Sequence, residues 1–258
     1  MKRNLLLIFL ISFFSCTSAE NLFNRAVALQ QEGKYGKAAE MLLKIIKDYP
    51  DSSITPVALK QLGEIYLFKI GDERNGIEIL KKVDTYFPGT TYAVDSLFEA
   101  GDYLFEKGKY EEVIPLMKHL LQYNLKPDLK RKVIMDLLYS YLFTNDREDF
   151  KREAENYIPE LNNSPLRWKI MLLLSDIYFE SGEEKKGEEI LNELTETAPE
   201  RFKTEAKYSL ANHYIAAGRY RKALVIFYQL TDNPKWKEKV SKKIEMLKKI
   251  IYNKQRYR

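Results

Sequence analysis

Little in this chain could carry covalent chemistry. One cysteine among 258 residues excludes an internal disulfide and a thiolate metal cluster, and two histidines exclude most histidine-built zinc sites. Eleven glycines and nine prolines leave no collagen-like or low-complexity tract. Lys and Arg number 42 against 37 Asp and Glu, and a net charge of +5 is too small to make nucleic acid the expected partner. No glycine-rich phosphate loop, zinc-ligand spacing or Gly-x-Ser-x-Gly elbow occurs. What the chain does have is 18 Tyr, 13 Phe and 45% hydrophobic residues, the inventory of a packed rather than a disordered chain. Its length allows one or two domains.

The one long apolar run lies at the start. Met1-Lys2-Arg3-Asn4 is basic, and Leu5 to Phe14 is apolar throughout except for Ser12. Ten helical residues span about 15 Å, half of a bilayer's hydrocarbon core, so the run reads as a secretory signal and not as a transmembrane helix. Ser15 and then Cys16 follow. This arrangement resembles a bacterial lipoprotein signal, which implies cleavage after residue 15, acylation of Cys16 and a short tether at 16–18. Thr17, in place of the aspartate that retains many such proteins at the inner membrane, implies the periplasmic face of the outer membrane. An ordinary signal cleaved near Ala19, with Cys16 discarded, is the alternative.

From residue 19 onward the sequence repeats. Glu32-Gly33-Lys34-Tyr35-Gly36-Lys37-Ala38, Lys107-Gly108-Lys109-Tyr110-Glu111-Glu112-Val113 and Ala217-Gly218-Arg219-Tyr220-Arg221-Lys222-Ala223 share one pattern, and Ser181-Gly182 with Gly187 keeps its turn glycine and its small residue five later. Upstream of each turn is a second mark at Ala26, Gly63, Gly101, Leu138, Ser175 and Ala211, spaced 37, 38, 37, 37 and 36 residues apart. Apolar residues on both sides of each turn follow the 3.6-residue period, so each unit is predicted to be a helix hairpin. Ala38, Gly76, Gly187 and Ala223 let the second helix approach the first. Pro50, Pro88, Pro199 and Pro234 stand where the second helices are predicted to stop. A hairpin of this kind cannot bury its outer faces alone and must stack on its neighbours.

Two places break the pattern. The fourth unit has Thr144-Asn145-Asp146 at its turn, without glycine, and Phe150 and Ala154 reverse the small-then-large order; drift compensated by Ala154 accounts for it, with a local widening as the alternative. Pro115 falls inside a second helix, which it is expected to kink or delay. The last segment, 235–258, is predicted to be a capping helix, with Trp236, Val240, Ile244, Leu247 and Ile251 as its apolar stripe. It holds ten basic and two acidic residues, net +8, whereas residues 16–234 hold 30 basic and 35 acidic, net −5.

The paired marks, the Tyr or Leu three residues further on (Leu29, Tyr66, Leu104, Tyr141, Tyr178, Tyr214), the turn glycine and the closing proline resemble the tetratricopeptide repeat family over 19–234. The period near 37 and the ends Tyr49-Pro50-Asp51-Ser52 and Phe87-Pro88-Gly89-Thr90 are similar to the BamD-like subfamily of periplasmic lipoproteins, from the outer-membrane barrel-assembly machinery. The resemblance implies an all-α, right-handed solenoid of about six hairpins plus the cap. It also implies a non-catalytic scaffold without a cofactor, bound to the membrane through its lipid, whose partners are outer-membrane assembly components or client peptides. Tol-Pal coordinator-like and pilotin-like repeat lipoproteins are the alternatives; an envelope enzyme is the remaining class.

By the family pattern, first helices line a concave groove. The positions facing it are Glu64, Phe68, Phe98, Asp102, Phe105, Tyr139, Leu142, Asp176, Phe179, Tyr208 and Asn212. Interleaved acids and rings suit an extended peptide with apolar anchors and some positive charge, and do not suit the carboxylate clamp of some family members. His119 and His213 fall in different units and read as packed or surface residues. Glu111-Glu112 and Glu183-Glu184 fall at helix starts, where carboxylates complement the helix dipole. The basic last helix reads as a solvated cap face, a lipid or cell-wall contact, or a dock for an acidic partner.

Overall fold

The computed structural model describes residues 18–162 and 164–256; Cys16 and the signal segment 1–15 lie outside the described residues. Every regular element among them is helical. The chain divides into two compact units, residues 1–144 and 145–258.

The first unit contains α1, described over 18–31, α2 (Tyr35–Asp48), α3 (Thr55–Glu64), α4 (Glu73–Tyr86), α5 (Thr91–Glu106), α6 (Tyr110–Leu120) and α7 (Pro127–Phe143). Consecutive helices pack on each other from α2 to α7, and α5 also touches both α3 and α7, so first helices stack on first helices. Ala26, Ala38, Leu42, Ile45, Ala58 and Leu62 make one core, and Leu80, Val83, Ala100, Val113, Met117 and Val133 continue the buried series along the unit. Burying each larger aliphatic chain contributes about 1.5–3 kcal/mol.

The second unit contains α8 (Arg147–Tyr157), α9 (Pro165–Glu180), α10 (Glu184–Thr197), α11 (Glu200–Ala216), α12 (Tyr220–Leu230) and α13 (Pro234–Arg256). Its core joins Trp168, Leu191, Leu194, Leu210, Ala211, Tyr214 and Phe227 with Val240, Ile244 and Leu247 of α13. The last helix thus lays its apolar stripe over α11 and α12, and Trp236 packs at the edge.

The turns explain the glycine spacing. Gly33, Gly71, Gly108, Gly182 and Gly218 all have φ between 71° and 81°, a region that costs a side-chain-bearing residue about 1–2 kcal/mol. In the turn without glycine, Asn145 takes φ 62°, a left-handed conformation that asparagine tolerates better than most side-chain-bearing residues. Side chains cap several helix starts: Asp72 accepts from Asn75 N at 3.2 Å, Thr90 from Ala93 N at 3.2 Å, Asp146 from Asp149 N and Ser164 from Arg167 N, each at 3.3 Å.

Small residues sit where the spacing predicts close approach. A Cβ on Gly63 would lie 2.7 Å from Leu80 Cγ, and one on Gly76 would lie 2.8 Å from the Leu67 backbone nitrogen. Phe150 and Ala154 are both fully buried, so the reversed order still fills the core of its unit. Pro115 neither delays nor ends its helix: α6 starts at Tyr110, directly after its turn, and runs through Pro115 to Leu120. Pro199 and Pro234 begin the following helices, Pro199 as the cap residue of α11 and Pro234 as the first residue of α13, where proline has no hydrogen bond to lose.

One local feature departs from regular helix. Ile65–Ile70 continues α3 as a π-helix and ends at Gly71. From Gly63 to Gly71 is eight positions, whereas Ala26 to Gly33, Gly101 to Gly108, Ser175 to Gly182 and Ala211 to Gly218 are seven. A π-turn takes up one extra residue. It accounts for the 38-residue spacing: Leu67 packs against Gly76 as Phe179 packs against Gly187, and Phe68, the next residue, is left exposed.

Candidate protein-interaction surface

Side chains of successive repeats meet at regular sequence distances. Gln30 donates to Gln61 Oε1 at 3.2 Å, Tyr103 to Glu73 Oε2 at 3.3 Å, Lys151 to Glu183 Oε1 at 2.6 Å and Tyr214 to Glu188 Oε2 at 3.2 Å. Arg219 reaches back to Glu184 and Glu188. These bonds join neighbouring repeats beside the apolar core.

In the first unit, the predicted groove acids are interleaved with lysines. Lys60 bonds both Glu64 and Glu99, the latter at 2.5 Å. Lys132 of α7 bonds Asp102 of α5, approaches Asp136 at 3.5 Å and stands 4.9 Å above the Phe98 ring. Burial pushes the Glu99 carboxyl above its ordinary value; Lys60 pulls it down and Glu64 pushes it up again. Burial likewise raises Asp136, against the pull of Lys132. Burial lowers both ammonium groups, but the hydrogen bonds and fields of the carboxylates outweigh it, and Lys60 and Lys132 end above the usual lysine value. Four carboxylates share two ammonium groups, so a partner reaching this surface meets residual negative charge, and Glu99 Oε2 is buried with no hydrogen-bond partner.

Rings gather toward the ends of the same helices. Phe68 meets Tyr103 edge-on at 5.8 Å. Tyr110 stacks on Phe143 at 4.4 Å, with Phe105 5.4 Å from Tyr110 and Tyr139 6.3 Å from Phe143. Phe68 is 52% exposed and Phe143 59%; Phe98, Phe105, Tyr139 and Leu142 are half-buried. Tyr103, Tyr110 and Phe143 were not among the predicted positions. Tyr110 follows its turn glycine by two residues, as Tyr35 and Tyr220 follow theirs, which was the available signal.

The second unit uses its predicted positions on itself. Asp176 accepts from Ser209 Oγ at 3.0 Å and pairs with His213 Nε2 at 3.1 Å, and His213 stacks on Phe179 at 3.6 Å. Tyr208 packs against Trp236 at 4.7 Å under Lys239, 4.2 Å from its ring centre, and Lys243 donates to Asn212 Oδ1 at 2.5 Å. Here α13 supplies the partners. Near α8, burial pushes the Tyr157 phenol up to about 12, and Glu153 and Glu160 add to it. Burial and then the bond to Glu155 raise Tyr178 as well.

The histidines have structural partners. His119 Nε2 lies 2.7 Å from Asp84 Oδ2, and Tyr123 bonds the other oxygen of the same carboxylate. The pair borders a cavity of about 360 Å³ between α4, α5 and α6, whose apolar wall includes Ile77, Leu97, Leu104 and Leu116. The Thr85 hydroxyl, also on that cavity, donates to Lys81 O. Among the described residues no group of three or more His, Cys, Asp or Glu is placed to hold a metal ion, and no helix is long and apolar enough to cross a membrane.

Several known proteins are similar to this chain. Tetratricopeptide repeat protein 21 homolog of Caenorhabditis briggsae is 28% identical over 142 residues, covering 52% of this chain, and this chain spans about 10% of that relative's length. A chain in the structure of Naa15/Naa10 bound to HypK-THB aligns with a TM-score of 0.60 at 13% identity, over 89% of this chain and 39% of that one. PilF of Pseudomonas aeruginosa aligns with a TM-score of 0.44 at 15% identity, over 84% and 92%. Residues 20–52, the helix pair α1–α2, match the tetratricopeptide repeat family.

Proposed function

We propose that this chain is a non-catalytic scaffold for protein–protein interaction in the bacterial envelope, of the BamD-like kind. In this reading it is held at the periplasmic face of the outer membrane by acyl chains on Cys16. The observation that carries the interaction reading is the outward ring cluster of the first unit. Phe143 is 59% exposed beside half-buried Phe105 and Tyr139, Phe68 is 52% exposed against Tyr103, and on the same first helices the four carboxylates Glu64, Glu99, Asp102 and Asp136 outnumber Lys60 and Lys132. Large exposed rings rimmed by charge are the composition of an interface core. An extended segment with apolar side chains and a few positive charges fits it, as does a client or assembly partner that offers such a segment. The positions Glu64, Phe98, Asp102 and Leu142 belong to this same surface. Asp176, Phe179, Tyr208 and Asn212 form the corresponding surface of the second unit, where intramolecular partners cover much of it.

Affinity capture from detergent-solubilised envelopes tests the reading. Barrel-assembly components are expected with the native chain and are expected to be lost with Phe68→Ala/Phe143→Ala. Recovery of cell-wall synthesis or pilus components alone would redirect it to another envelope machine. Metabolic labelling with a fatty-acid analogue tests the anchor: label on the native chain and none on Cys16→Ala is expected, and a labelled Cys16→Ala chain removes the claim. A single acyl chain binds marginally, so stable attachment requires more than one.

A further inference from the structure

The outer face of α12 and α13 combines two features that the scaffold reading does not use. On α12, Arg221, Val225 and Tyr228 follow one another at helical spacing, and Val225 is 59% and Tyr228 44% exposed. On α13, Lys248 and Lys249 stand one turn before Tyr252, which is 64% exposed. The two helices bring these sets together. Lys248 Nζ lies 5.4 Å above the Tyr228 ring, and Lys254 Nζ lies 4.6 Å above Tyr220. A cavity of about 360 Å³ has Arg221 and Lys222 on one wall and Ile251, Lys254 and Gln255 on the other. Arg219 also lines it, already paired with Glu184 and Glu188.

We infer that this face docks on an anionic phospholipid surface. Charge complementarity selects the occupant. The α12 sequence contains no acidic residue, and among the described residues no carboxylate pairs with Arg221 or with any lysine of α13. Glu245 is the one acid at helical spacing with Lys248 and Lys249. The exposed Val225, Tyr228 and Tyr252 decide between a bilayer and an acidic polypeptide. Tyrosine rings favour the headgroup level, where their apolar body leaves water and their hydroxyl stays in it, and lysine stems reach past them toward phosphate. A solvated acidic chain offers those side chains nothing apolar. Each cation at a surface rich in anionic lipid changes affinity by about fivefold.

The test is a fluorescence contact assay on the full chain. A single cysteine carrying an environment-sensitive dye is placed by Gln255→Cys in a Cys16→Ser background. Vesicles of phosphatidylcholine with about one-third phosphatidylglycerol are expected to shift the dye emission to the blue, to do so less in high salt, and to do little as pure phosphatidylcholine. Arg221→Gln/Lys248→Gln/Lys249→Gln is expected to weaken the response on the order of a hundredfold. Tyr252→Ser is expected to weaken it several-fold with the salt dependence intact. All four side chains are exposed, so the variants keep the fold. Equal response to pure phosphatidylcholine, or an unchanged response in the triple variant, overturns the inference. A dye shift with poly-glutamate as large as with vesicles overturns it in favour of an acidic protein. Because the dye reports on position 255, the outcome is independent of whether Cys16 is acylated and of what the ring cluster binds.

Discussion

Two glycines in the first unit lie on successive second helices and should respond in opposite directions to alanine. Gly36, in the first turn of α2, has no atom within 4 Å of where a Cβ would stand. Gly76, in α4, would place its Cβ 2.8 Å from both N and Cβ of Leu67 and 2.9 Å from Leu67 Cα. Alanine is favoured over glycine in a helix by about 1 kcal/mol. Gly36→Ala is therefore expected to stabilise the unit by roughly 0.5–1 kcal/mol. At Gly76 the same gain meets a clash with backbone, which cannot rotate away, and overpacking of this kind costs about 1–3 kcal/mol. The difference between the two variants isolates the clash. Gly101→Ala is an internal control, because its new Cβ would meet the mobile end of the Met117 side chain, so the net change should be small. Urea unfolding followed by far-UV circular dichroism measures all three, and each kcal/mol moves the thermal midpoint by about 2–4 °C in a chain of this size. The three sites share one unit, so one transition reports on them. A Gly76→Ala protein as stable as Gly36→Ala would refute the close approach of the hairpin helices, and with it the reason for small residues at this repeat position.

Asn145→Ala should destabilise the second unit by about 1 kcal/mol and Asn145→Gly should not, because φ is 62° there; urea midpoints separate the two. Leu247→Ala should cost about 2–5 kcal/mol, since Leu247 is fully buried in the core that α13 shares with α11 and α12, and a loss below 1 kcal/mol would show the last helix to be detached. The Tyr157 phenol stays protonated to about 12 in the fold and ionises near 10 in the unfolded chain, so in that window the unfolded state binds fewer protons and stability falls as pH rises. Tyr157→Phe should flatten the decline between pH 10 and 11.5 in a pH series of unfolding midpoints; an unaltered slope would contradict the raised phenol.

The repeat itself was legible because its marks are steric. A turn that needs a left-handed residue and a seam that needs a small one recur at fixed intervals whatever fills the faces between. Asn145 hid its turn by meeting the same backbone requirement with a different residue. The π-helix left a trace, one position too many between Gly63 and Gly71, that only the geometry of Ile65–Ile70 interprets. The candidate surface was harder to read. The acids at Glu64 and Asp102 were visible, but their lysine partners lie in the same helix or one repeat away, and nothing local to the acids signals them. Phe143 looks like any last residue of a helix until its stacking on Tyr110 is seen. Tyr208 and Asn212 looked open to a ligand because the neighbour that occupies them, α13, lies some thirty residues further along the chain, and nothing local to them signals it.

The widened turn at Ile65–Ile70 bears on how such arrays change length. Inserting a residue into a regular helix rotates everything beyond it by about 100°, which in a stacked array would misalign each later module. Here the surplus is swallowed within six residues, and Gly71 resumes the beat that Gly108 keeps 37 positions on. The tail of a first helix is thus a place where insertions and deletions can accumulate without being passed downstream. Such an event turns one side chain, here Phe68, outward while the spacing of the later turns is kept.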